Sequence, residues 1–224
     1  NIVKKEDNED TKNSKKIRNS IILEHHQRNM INEGLTSAVD DDLIIISDLD
    51  EIPNLNNIDL EKNKNNLIFF KQKMFYYKFN LYYENFIWFG SKAVKKKKFI
   101  SPQWLRNIKN KNYAFWRVDT LFSKKKYNNI KFIENGGWHF SYLKDAKGVE
   151  KKLQSIRHHI EYDKNPIGVD KIENLIKNRK LIYNYKSDQR TKNKFTDNEE
   201  LSLLDIQRLP DHLTLKYRGK IYTN

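Results

Sequence analysis

The residues best suited to chemistry lie in one short stretch, Ser47-Asp48-Leu49-Asp50-Glu51-Ile52-Pro53, directly after the aliphatic run Leu43-Ile44-Ile45-Ile46. Asp48 and Asp50 are two positions apart, so an extended backbone would send both carboxylates to one side while Leu49 points into the protein. Paired hard carboxylate oxygens suit Mn2+ or Mg2+, with the remaining ligands left to water and substrate phosphates. A bland reading competes: one Asp caps a helix and the other is solvated, because Asp-x-Asp pairs are common on charged surfaces.

A second dense site is Asn135-Gly136-Gly137-Trp138-His139-Phe140-Ser141-Tyr142. Its adjacent glycines permit close backbone approach or positive φ just before Trp138 and His139. His139 is either a hydrogen-bonded core residue or a further metal ligand. Two cations could meet a phosphorylated ligand. Arg106, in Ser101-Pro102-Gln103-Trp104-Leu105-Arg106, follows a turn and has the fork geometry that grips a diphosphate. Arg28, with Gln27 beside it, lies on an N-terminal helix and could reach a nucleotide. Lys152, Ser155 and His159 recur at three- and four-residue steps, which puts them on one helix face.

The elements that must position these residues follow from periodicity. Leu43 to Ile46 reads as a short strand buried on both faces, and Pro53 forbids its simple continuation. In α/β sheets, ligands gather beyond the carboxyl ends of such strands. Leu67 to Phe70 is a second apolar strand, and the aromatics from Phe75 to Tyr83 read as a sheet packing face or, in the alternative, as rings some of which stack on sugar faces. Ser20 caps a helix from Ile21 towards Ala38, a second helix runs from Gly148 to Tyr162, and Leu201 to Leu204 with Leu209-Pro210 form a closing apolar patch. Residues 1–19 are a charged, flexible lead-in, and residues 20–224 form a single domain.

The chain has 224 residues, enough for a core of its own, and its formal net charge is +14. It has no cysteine, which excludes disulfides and thiolate metal sites. No signal-peptide pattern or membrane-span-length apolar run is present, so the expectation is a cytoplasmic protein without an integral membrane segment. Lysine dominates the charge, in clusters such as Lys95 to Lys98 and Lys124 to Lys126. With asparagine and isoleucine enriched beside it, this is what an A- and T-rich coding bias produces. No nucleic-acid partner is expected, although a basic surface would attract a sugar-nucleotide diphosphate.

Asp48-Leu49-Asp50-Glu51-Ile52-Pro53, preceded by Gln27-Arg28-Asn29 and followed by Gly137-Trp138-His139-Phe140-Ser141-Tyr142, resembles glycosyltransferase family 17. That is the family of β-1,4-mannosyl-glycoprotein β-1,4-N-acetylglucosaminyltransferases. Supporting matches are Tyr76-Tyr77, Trp88, Gln103 to Arg106, Lys152 to Ser155 and His159 to Tyr162. The resemblance implies an α/β, GT-A-like (Rossmann-like) fold, a UDP-sugar donor, a glycan or glycolipid acceptor, a divalent metal such as Mn2+, and inversion at the anomeric carbon. Its eukaryotic members are Golgi membrane proteins. Its members carry further strand and helix segments upstream of the Gln-Arg helix, so an N-terminally truncated domain is expected here.

On this reading Asp48, Asp50 and His139 are the metal ligands, and Gln27, Arg28, Asp48, Arg106, Trp138 and Lys152 face the donor. An inverting displacement also needs a general base, for which Glu51 and Glu161 are the candidates. Other metal-dependent nucleotidyl or phosphoryl transfer also uses Asp-x-Asp at a strand end, but no glycine-rich phosphate loop follows an early strand here. A non-catalytic basic binding protein, with the acidic motif incidental, is the third alternative.

Overall fold

A computed structural model describes residues 2–58, 67–155, 162, 165–183, 199–205, 216 and 221–222. The chain is mixed α/β and divides into two compact units.

The first unit comprises Arg18–Lys73 and Ile87–His139. Its sheet contains β1 (Leu43–Ile46), β3 (Leu67–Phe70), β6 (Lys92–Lys95) and β7 (Ile130–Ile133), in the order β1-β6-β3-β7. β6 runs antiparallel to both β1 and β3, while β3 and β7 are parallel. β1 is therefore an edge strand with alternating burial, Ile44 and Ile46 turned inward, and not the strand buried on both faces that its aliphatic run predicts. β3 is the fully buried one. On one face of the sheet Ile44, Ile46, Leu67, Phe69, Val94 and Ile130 pack with Leu105 and Ile108.

Leu105 and Ile108 belong to the end of a short helix, α2 (Pro102–Asn107), and the residue that follows it. Ser101 caps this helix by accepting from the Trp104 amide at 3.1 Å, and Pro102 occupies its first turn, where no amide hydrogen is needed. Arg106 therefore stands on a capped helix rather than after a turn.

The long helix α1 (Glu9–Asn29) begins within the segment expected to be a flexible lead-in, and ends in a 3-10 turn, Met30–Leu35. It has no buried residue, so periodicity of apolar side chains could not have located its start.

In the same unit β2 (Glu51–Pro53) pairs antiparallel with the start of β8 (Gly137–Ser141), Glu51 opposite His139 and Pro53 opposite Gly137. Gly137 has φ +127°, and a Cβ there would overlap the Ile52 carbonyl. The Gly-Gly pair thus does what its sequence suggests: it lets β8 approach β2 closely.

The second unit comprises Ile2–Ile17, Met74–Phe86 and Phe140–Asn224. Here β8, β4 (Gln72–Tyr76), β5 (Leu81–Trp88) and β9 (Ser202–Leu203) lie side by side in that order. Met74, Phe75, Tyr76, Tyr77 and Leu81 are completely buried. Phe140 packs on Phe75 and Phe79 with ring centroids 5.2 and 5.1 Å apart, and Tyr76 stacks on Tyr142 at 5.0 Å. The aromatic belt is core, as expected. Two helices follow, α3 (Ala146–Ser155) and α4 (Val169–Lys177). Leu201 and Leu204 of the expected closing patch are buried beside β9 while Leu203 is exposed, and Leu209 and Pro210 lie outside the described residues.

Candidate active site

Between β1 and β2 the chain reverses in a turn: the Glu51 amide donates to the Asp48 carbonyl at 3.0 Å, and the Asp48 amide donates to Glu51 Oε2 at 2.9 Å. The backbone is not extended here. Leu49, expected to point inward, is fully exposed at the tip of the turn (104%). Ser47 closes the base by donating from Oγ to the Glu51 carbonyl at 3.0 Å and by pairing with the Ser91 hydroxyl.

This turn delivers a buried carboxylate. The Glu51 side chain has no solvent exposure. Arg106 donates to it from both terminal nitrogens, Nη1 at 3.2 and 3.1 Å to Oε1 and Oε2 and Nη2 at 3.2 Å to Oε1. Trp88 Nε1 adds a hydrogen bond to Oε1 at 2.8 Å. A buried ion survives only when its lone pairs are met in this way. Gly90 makes the arrangement possible, because a Cβ at that position would overlap the Glu51 carboxylate and Trp88 Nε1. The Gly90 carbonyl also accepts from Arg106 Nη1.

Asp48 lies between two guanidinium groups. Its Oδ2 accepts from Arg106 Nη2 at 2.7 Å, and its Oδ1 lies 3.5 Å from Arg28 Nη2. Arg28 is fixed in turn by Gln103 Oε1 at 2.6 Å and Glu24 Oε1 at 3.2 Å. Both arginine side chains are largely buried, at 13% and 15% exposure, whereas Asp48 is 39% exposed. A half-open carboxylate backed by two oriented cations is the arrangement that results.

Asp50 is also half exposed, and its Oδ1 lies 3.8 Å from Nδ1 of the buried His139. The His139 ring stacks on Trp88 with centroids 4.5 Å apart. Asp50 and His139 are near enough to face one cation together. Among the described residues no three His, Asp or Glu side chains gather as a ready-made metal cage. A cation facing Asp50 and His139 would have to complete most of its shell with diphosphate oxygens and water, the usual habit of Mg2+ at phosphate sites.

The remaining candidates are placed separately. Trp138 is half-buried on β8 opposite Ile52, and Gln27 is exposed on α1. Lys152 belongs to the second unit, where its ammonium sits 4.5 Å from the centre of the Tyr142 ring. Glu161 and His159 lie outside the described residues.

Sequence reasoning missed Lys92. It is buried at the start of β6, donating to the Arg106 and Ile108 carbonyls at 3.0 and 2.6 Å with its ammonium 4.4 Å from the centre of the Phe69 ring. It thereby satisfies carbonyls left open at the end of α2, the helix that carries Arg106. Burial pushes the Lys92 ammonium down to about 7, and the neighbouring Arg106 cation pushes the same way while Glu51 opposes. In the sequence it precedes the Lys95 to Lys98 cluster and reads as one more solvated lysine.

The family model described as Glycosyltransferase family 17 matches residues 4–189, most of the chain. No curated protein and no solved structure matches.

Proposed function

The chain belongs to glycosyltransferase family 17, and from that premise we propose that it is a metal-dependent inverting transferase that moves GlcNAc from UDP-GlcNAc to a glycan acceptor on a GT-A-like scaffold. Membership itself carries the coarser statement, a glycosyltransferase with a sugar donor and an acceptor. The observation that supports a diphosphate-donor site is the turn between β1 and β2, with half-open Asp48 held between Arg28 and Arg106, while GlcNAc and inversion rest on the family resemblance.

In this reading Arg106 and Arg28 receive the donor diphosphate and neutralise charge that builds on the leaving UDP. Preorganisation is what makes such cations effective, and both are held by partners before any ligand arrives. Asp48, Asp50 and His139 would hold Mn2+ or Mg2+, which supplies Lewis-acid stabilisation of the leaving group when bound. Glu51 has its lone pairs engaged by Arg106, Trp88 and the Asp48 amide, which suits positioning Arg106 better than taking a proton. Glu161, the other candidate general base for the acceptor hydroxyl, lies outside the described residues. Trp138 and Gln27 are further donor-facing candidates.

The test is release of UDP from a panel of UDP-sugars with Mn2+ and mannose-bearing glycan acceptors. UDP-GlcNAc should be consumed fastest, with a β-linked product. Consumption of a different UDP-sugar would correct the donor, and a nucleotide triphosphate substrate in place of any UDP-sugar would favour nucleotidyl transfer.

A further inference from the structure

The segment between α2 and β7 is tied off at its base. Tyr113 donates its amide to the Tyr127 carbonyl at 2.9 Å, and Lys109 donates to the Lys125 carbonyl at 2.8 Å. The Asn112 side chain both donates to and accepts from the Ile130 backbone, at 3.0 and 2.7 Å. Trp104 Nε1 donates to the Lys124 carbonyl at 2.9 Å. Within the loop a 3-10 turn, Val118–Thr120, and an Arg117–Asp119–Lys126 ion network hold the backbone. This is a compact closed loop, built by its own contacts.

Its apolar side chains nevertheless face water. Phe115, Trp116, Val118, Leu121 and Phe122 are 81, 71, 65, 79 and 86% exposed. Scattered exposed apolar residues need no explanation, but five within eight positions on one tied loop form a patch, and such patches mark interaction sites. The rim is basic: Lys109, Lys111, Lys124 and Lys125 are exposed, and Asp119 is the only carboxylate between Lys109 and Lys126. Aromatic and aliphatic side chains at a tip, ringed by lysines, complement an anionic bilayer: the tip enters the acyl boundary while the lysines meet the headgroups. Val118 and Leu121 offer no face for stacking on a sugar or a base, which disfavours a glycan or nucleic acid as occupant. Among the described residues no helix is long and apolar enough to cross a membrane, so the attachment would be interfacial.

We propose that the loop 113–127 is a membrane-docking loop that inserts Phe115, Trp116, Leu121 and Phe122 into the surface of anionic bilayers. The proposal is independent of the donor chemistry and needs no substrate to test.

The experiment is co-sedimentation of the full chain with vesicles of phosphatidylcholine, alone or mixed with phosphatidylglycerol. The chain should sediment with the mixed vesicles and far less with the neutral ones. Leu121→Ser with Phe122→Ser should lower partitioning by roughly tenfold or more at unchanged melting temperature. Lys124→Glu with Lys125→Glu should remove the preference for anionic lipid. In the unsubstituted chain, tryptophan emission should shift to the blue on vesicle addition, and Trp116→Phe should abolish that shift. The proposal is overturned if the chain ignores anionic vesicles or if the Leu121/Phe122 variant binds as well as the parent. It is equally overturned if the chain is a dimer that those substitutions dissociate, for then a second copy covers the patch.

Discussion

Replacing Arg106 by Leu should destabilise the protein before it says anything about catalysis. Glu51 has no side-chain exposure and takes three contacts of 3.1 to 3.2 Å from the Arg106 fork. Removing one partner of a buried ion pair costs about 3–5 kcal/mol, because the other charge stays buried and uncompensated. Here two donors remain, Trp88 Nε1 at 2.8 Å and the Asp48 amide at 2.9 Å, so the lower end, about 3 kcal/mol, applies. For a chain of this length that corresponds to a fall of roughly 6–12 °C in Tm. Urea denaturation at neutral pH, followed by intrinsic fluorescence, measures it. Arg106→Leu combined with Glu51→Leu should cost clearly less than the sum of the single changes, with a coupling of at least about 1 kcal/mol. A single Arg106→Leu within about 0.5 kcal/mol of the parent, or strict additivity, would refute the buried-pair account.

Gly90→Ala should disturb the same carboxylate from the other side, since its methyl would overlap Glu51 and Trp88 Nε1. Overpacking of this kind costs about 1–3 kcal/mol, and the same urea titration detects it. Lys92, at about 7 in the folded protein, sheds a proton there that the unfolded chain keeps until about 10.5. The unfolded state thus binds more protons between these values, and stability should rise with pH across that window, whereas below it the full cost of burying the ammonium is paid. Lys92→Met should flatten this rise relative to the parent in melting curves at pH steps from neutral to alkaline; an equal slope in both would place the titration elsewhere.

What could be read from the sequence was mainly what depends on near neighbours. The aliphatic run at Leu43–Ile46 and the apolar run at Leu67–Phe70 are strands, and the Gly136-Gly137 pair does serve close approach. Which strand is central could not be read: β1 has the more β-branched run but sits at the sheet edge, because strand order depends on pairings far apart in sequence. Leu49 went wrong because a carboxylate three residues on bonds back to the Asp48 amide and closes a turn, and local hydrogen bonding overrode alternation. Glu51 and Arg106 were each visible as candidates, yet their ion pair joins residues 55 positions apart. That pairing buries the Glu51 carboxylate against the Arg106 fork, and nothing in either local sequence carries it.

The most direct test of the proposed site is calorimetric titration of UDP-GlcNAc into the parent chain, Asp48→Ala and Asp50→Ala, each with and without Mn2+. The account predicts donor binding by the parent that requires Mn2+, and at least about tenfold weaker binding by both variants at temperatures well below their own melting transitions. Donor binding that ignores Mn2+, or that survives both substitutions undiminished, would contradict the assignment of the turn between β1 and β2 as the metal and donor site.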